Sequence, residues 1–131
     1  LPGCVDPFNP KVVRSAMGSH FRVPIQLKGK GDPAFVEVTT TSQRVVSEGE
    51  ALRRYDELDW TQPSTLIVGS EAHGASSEAT ALATVAASIP MAAGVESLNA
   101  AVATGVFLFE AQRQRRAAAR LTEDAQFSSL A

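Results

Sequence analysis

A chain of 131 residues, 44% hydrophobic and 20% charged, has the make-up of a single soluble globular domain rather than a disordered or fibrous one. At this length roughly two-thirds of the unfolded surface can be buried, enough for a real core. A formal net charge of -2 excludes bulk attraction to polyanions, although a local basic strip remains compatible with it.

The chain opens on Leu1-Pro2-Gly3 rather than on methionine, as a processed or truncated chain does. Cys4 is the sole cysteine, so no internal disulfide can form. A reducing compartment is expected, cytoplasmic by default and an organelle as the other option. Next, Asn9 is suited to cap a short helix, with Pro10 in its first position and Gly18 just beyond its end. Val13, Ala16 and Met17 give that helix one apolar face. Phe21 to Ile25 reads as a short strand, with Pro24 placing it at an edge or end. Gly29 to Pro33 is a turn.

Phe35 to Thr41 is rich in β-branched residues and alternates like a strand, and Arg44-Val45-Val46 suggests another. Glu48 to Tyr55 reads as a short helix with a polar exit through Trp60. Thr65 to Val68 is an apolar run ending in Gly69, the pattern of a buried parallel strand. After the glycine-bounded loop Gly69 to Gly74, a helix starts near Ser76 or Ser77, with Glu78 in its first turn. Ser88-Ile89-Pro90-Met91 ends a further strand and runs into the loop Ala92 to Glu96. Ser97 is expected to cap a long helix, apolar nearly all round from Leu98 to Phe109 and basic from Arg113 to Arg120. The Ser128-Ser129 tail is expected to fray. Strands alternating with helices predict an α/β fold with a mostly parallel sheet, whose ligands bind beyond the carboxyl ends of the strands.

Several chemistries are excluded by pattern. No apolar run reaches the ~20 residues of a membrane span. No basic and apolar leader opens the chain. His20 and His73 are far apart, and no Cys/His spacing suits zinc, so no metal is expected. Val68 to Ala72 lacks the Gly-x-Ser-x-Gly of a nucleophile elbow. Gly29-Lys30-Gly31-Asp32 is not a phosphate-binding loop, and no Gly-x-Gly-x-x-Gly occurs.

Leu66-Ile67-Val68-Gly69-Ser70-Glu71-Ala72-His73-Gly74 resembles the second signature motif of the SpoU family of RNA ribose 2′-O-methyltransferases. Ile89-Pro90-Met91, with Val95-Glu96-Ser97-Leu98-Asn99 and the apolar helix to Glu110, resembles its third. Val5 to Arg14 with Met17-Gly18 is similar to the family in type and order. The likeness spans almost the whole chain, which is identified as the C-terminal portion of a SpoU-type domain over residues 1–131. It implies the trefoil-knotted fold of the SPOUT superfamily, S-adenosylmethionine as cofactor, rRNA or tRNA as substrate, and a homodimer, with no membrane partner. By motif the cofactor lies against Gly69, Ile89, Met91 and Leu98, and Glu71, Ser97 and Asn99 match the active-site motifs.

The family's first motif carries an Asn and an Arg near the chemistry and is expected upstream of Leu1, as is any RNA-recognition extension. The chain as given is therefore expected to bind cofactor without methylating. The alternative is a truncated, non-catalytic cofactor-binding or dimerisation module.

Plainer readings stand beside these. Glu71 is equally suited to capping the following helix, Asn99 to a structural hydrogen bond, and His73 to solvent. Arg14 divides evenly between phosphate contact and a salt bridge. Arg113, the other RNA-contact candidate, lies on what is ordinarily a solvated helix end.

Overall fold

The computed structural model describes residues 5–27, 42–70, 74–95 and 97–128. The chain divides into two compact units, residues 1–38 and 39–131.

In the first unit, α1 (Pro10–Ser15) starts where its punctuation places it. Asn9 accepts a hydrogen bond from the Lys11 N–H, and Pro10 supplies the first helical φ. The chain then turns through Met17 and Gly18, both at positive φ (48° and 86°), into a 3-10 turn at Ser19–Phe21. Phe21 to Ile25 forms no strand: the turn takes up Phe21, and Pro24 has no N–H to give a ladder. The expected apolar face is open, with Met17 90% exposed. His20 Nε2 donates to the Pro7 carbonyl at 2.6 Å and ties the turn to the segment before α1. The expected turn at Gly29 and strand at Phe35 to Thr41 lie outside the described residues.

The second unit is built on β1 (Gln43–Ser47), β2 (Arg53–Arg54), β3 (Ser64–Ile67) and β4 (Val85–Ser88). They form one four-stranded sheet in the order β2-β4-β1-β3, every pairing parallel. Val45 is opposite Leu66 on one side and Val85 on the other. A central parallel strand is covered on both faces, and consecutive Val45 and Val46 are accordingly both buried.

Two helices complete this unit. The first, α2 (Ser77–Leu82), is capped by Ser76, whose hydroxyl accepts from the Ala79 N–H, and packs against β1 with Ala79 buried. The second, α3 (Ala100–Ser128), runs for 29 residues. Its Phe107 and Ala111 complete a core with Val45, Ala87, Leu58 and Trp60. The Phe107 ring meets Tyr55 and Trp60 edge-on, with centroids 5.8 and 5.9 Å away.

The helix expected at Glu48 to Tyr55 is instead a turn, the two-residue β2 and a 3-10 turn at Tyr55–Glu57. Pairing of Arg53 and Arg54 with Ala87 and Ser88 outweighs local helix propensity here. The Glu57 carboxylate then accepts from the Arg54 N–H and starts the 3-10 turn. Nor is α3 buried all round: Val102, Leu108 and Phe109 are 53%, 57% and 75% exposed. One face of a helix suffices to cover one face of the sheet.

Candidate functional site

The carboxyl ends of β4, β1 and β3 adjoin, because these strands are neighbours in the sheet. Beyond them lies a cleft of about 180 Å³. Ser47, Glu48 and Gly49 follow β1; Val68, Gly69, Ser70 and Gly74 follow β3; Ile89 and Met91 follow β4. Ser97, Leu98, Ala100 and Ala103 close it from the start of α3. This is where an open parallel sheet holds ligands, outside the strand ends and where strand order reverses.

Backbone hydrogen bonds fix these walls. Ser70 and Gly74 exchange both N–H···O bonds, each 2.9 Å, and close the loop after β3 on itself. Gly74 sits at φ +65°, a region open to glycine at little cost. Gly69 is required for another reason: a Cβ there would overlap the Gly74 carbonyl carbon and the Ala75 nitrogen. The glycine keeps this loop closed on its own backbone. It is not there merely to leave room for a ligand.

The predicted cofactor positions Gly69, Ile89, Met91 and Leu98 all line this one cleft. Of the predicted catalytic residues, Ser97 lines it too. Asn99 does not: its Oδ1 accepts from the N–H groups of Ala101 and Val102 at 3.0 and 3.3 Å. Asn99, not Ser97, therefore caps α3. Ser97 and Leu98 stay outside the helix, on the cleft wall. Glu71 lies outside the described residues.

The two arginines are placed elsewhere. Arg14 is exposed at the end of α1, in the first unit. Arg113 makes two 2.7 Å bonds to the Glu110 carboxylate. That guanidinium holds the Glu110 carboxyl below its usual range; burial opposes the shift and Gln114 adds to it.

The sequence did not reveal the wall after β1. Glu48 is the one charged side chain among the described residues of the cleft. Gly49, two residues beyond a strand with consecutive valines, was the available signal, hidden by reading Glu48 as a helix start. Among the described residues no three potential metal ligands gather, and no helix is long and apolar enough to cross a membrane.

The lining suits a nucleoside-bearing sulfonium. Leu98, Ile89 and Met91 offer apolar surface to a purine, while Gly49, Ala100 and Ala103 leave space. Loop backbone and the Ser70 and Ser97 hydroxyls offer polar partners.

Comparison with known proteins points the same way. The SpoU rRNA Methylase family model matches residues 1–109. A tRNA/rRNA methyltransferase of Synechocystis, itself uncharacterized, is 40% identical over 116 residues, covering 88% of this chain and 42% of that protein. The tRNA (guanosine(18)-2′-O)-methyltransferase of Thermus thermophilus is 52% identical over 66 residues, covering 50% of this chain and 34% of that enzyme. The crystal structure of the SpoU methyltransferase AviRb from Streptomyces viridochromogenes, in complex with AdoMet, matches with a TM-score of 0.77 at 35% identity. That match covers 87% of this chain and 47% of AviRb. The chain thus spans less than half the length of each of these relatives.

Proposed function

This chain belongs to the SpoU rRNA Methylase family, and from that membership we propose that it holds S-adenosylmethionine for methyl transfer to a ribose 2′-hydroxyl of rRNA or tRNA. The observation that carries the proposal is the meeting of two sequence-distant motifs in one cleft: Gly69 from one, Ile89, Met91, Ser97 and Leu98 from the other. When bound, the cofactor supplies a sulfonium methyl group open to in-line attack by an oxygen nucleophile.

The residues of this chain bind and orient. Loop backbone around Gly69 and Ser70 fixes the nucleoside, and Leu98, Ile89 and Met91 shield it from water. Ser97 lies on the wall with its hydroxyl available to the reacting groups. Asn99 acts one step removed, as a positioning residue that ends the cleft wall and starts α3. Holding two reactants in a productive geometry is itself a large part of such catalysis. Glu71, in the same motif as Gly69, is assigned to orienting the RNA, and Arg14 to phosphate contact. Arg113 is the weaker RNA candidate because Glu110 already engages its guanidinium.

A homodimer is part of the proposal. Val102 and Phe109 are seven residues apart on one side of α3 and both exposed, which suits burial against a second copy. Cys4 as sole cysteine supports a reducing compartment, the cytoplasm in the first instance.

The test is transfer of labelled methyl from S-adenosylmethionine to bulk rRNA and tRNA by the protein with its expected upstream motif restored, the chain as given serving as the inactive control, with nuclease digestion to locate the label. Label on ribose 2′-oxygens is expected. Label on bases or on protein would overturn the assignment.

A further inference from the structure

Resting on the reading of the cleft as an S-adenosylmethionine site, we propose that Glu48 gives that site its preference for the cationic methyl donor over the neutral spent product. Glu48 directly follows β1, the middle of the three adjoining strand ends. Its backbone is held on both sides: the N–H donates to the Ala87 carbonyl at 3.0 Å, and the carbonyl accepts from Ala51 N–H at 3.3 Å.

Two acids of the sheet unit pair with arginine side chains, Asp56 with Arg54 and Glu110 with Arg113, both at 2.7 Å. Glu48 has no such partner among the described residues, and the other described side chains of the cleft are hydroxyls, apolar groups or glycine. Among the described residues of the cleft, Glu48 thus brings the one negative charge to an otherwise neutral lining.

Transfer breaks the sulfur–methyl bond and forms an oxygen–methyl bond. The sulfur keeps the bonding electron pair and becomes a neutral thioether, and the hydroxyl proton leaves to solvent. Adenine, ribose and amino-acid portions are common to donor and product, so their contacts cancel in the comparison. The sulfonium charge does not cancel. A carboxylate on the wall of a partly wet cleft attracts it by enough to change the affinity ratio about three- to tenfold. Glu48 therefore retains the donor and eases product release.

The experiment is calorimetric titration of the chain with S-adenosylmethionine and with S-adenosylhomocysteine, for wild type, Glu48→Gln and Glu48→Asp. In Glu48→Gln the donor-over-product ratio falls about three- to tenfold while product affinity holds. Glu48→Asp keeps the preference. Added salt erodes the preference of the wild type, which tests the claim without any substitution. Equal loss for both ligands, or an unchanged ratio with no salt dependence, would overturn the proposal. Failure of the wild type to bind either nucleoside would instead refute the reading of the cleft itself.

Discussion

Gly69 shows how a residue can be legible in sequence for an incomplete reason. Read from its motif, it is a position against which the cofactor lies. In the fold its missing Cβ faces the Gly74–Ala75 backbone. Gly69→Ala is therefore expected to strain the loop first, lowering stability by about 1–3 kcal/mol, with weaker ligand binding as a consequence. Thermal denaturation without ligand checks this; an unchanged midpoint would return Gly69 to a purely ligand-facing role. That Leu98, Ile89 and Met91 share one cleft was legible because their motif keeps them together in sequence order. Glu48 was not, because its place in the cleft is set by pairing of β1 with strands far along the chain.

Glu110 carries the pH dependence at this scale. Its folded pKa is depressed, chiefly by Arg113, so the folded protein binds its proton less readily than the unfolded chain does. The stabilisation is present above the ordinary glutamate range and is lost as pH falls through the folded value. Denaturation of wild type and Glu110→Gln between about pH 7 and 3 should show the wild-type advantage shrinking toward acid. An advantage that is constant across this range would sink the assignment.

Among the elements, β1, β3 and the start of α2 were visible as short apolar runs and a hydroxyl cap, local signals that packing reinforces. β2 was not: two arginines form a strand only because β4 lies beside them. The start of α3 was misjudged by two residues because both Ser97 and Asn99 can cap. The asparagine oxygen takes the bonds, which frees Ser97 for the cleft.

The burial of α3 was overestimated, since apolar residues all round a helix do not reveal which face the sheet takes. Its buried face depends on Phe107, and Phe107→Ala should cost about 3–5 kcal/mol, a large share of a domain's stability, read from denaturant unfolding. Its open face makes a different prediction. Phe109→Asp should leave the monomer folded yet raise the dimer dissociation constant at least about thirtyfold in sedimentation equilibrium. A wild-type chain that stays monomeric at high concentration would contradict the dimer.

For the molecule as a whole, the parallel α/β class follows from strand–helix alternation, whereas the order β2-β4-β1-β3 does not, because pairing partners leave no local trace. That order brings three loops from distant parts of the sequence to one cleft. The central claim is that this cleft is where S-adenosylmethionine binds. Ala103 lies at its wall within α3, a different element from the loop that Gly69 closes. Ala103→Phe fills the cleft from a position where a large residue keeps the helix intact. The decisive measurement is calorimetric titration of S-adenosylmethionine into the wild type and into this variant, each first shown to be folded. Binding by the wild type and a loss of at least about tenfold in the variant are predicted. Equal affinities in the two would place the ligand elsewhere and contradict the account.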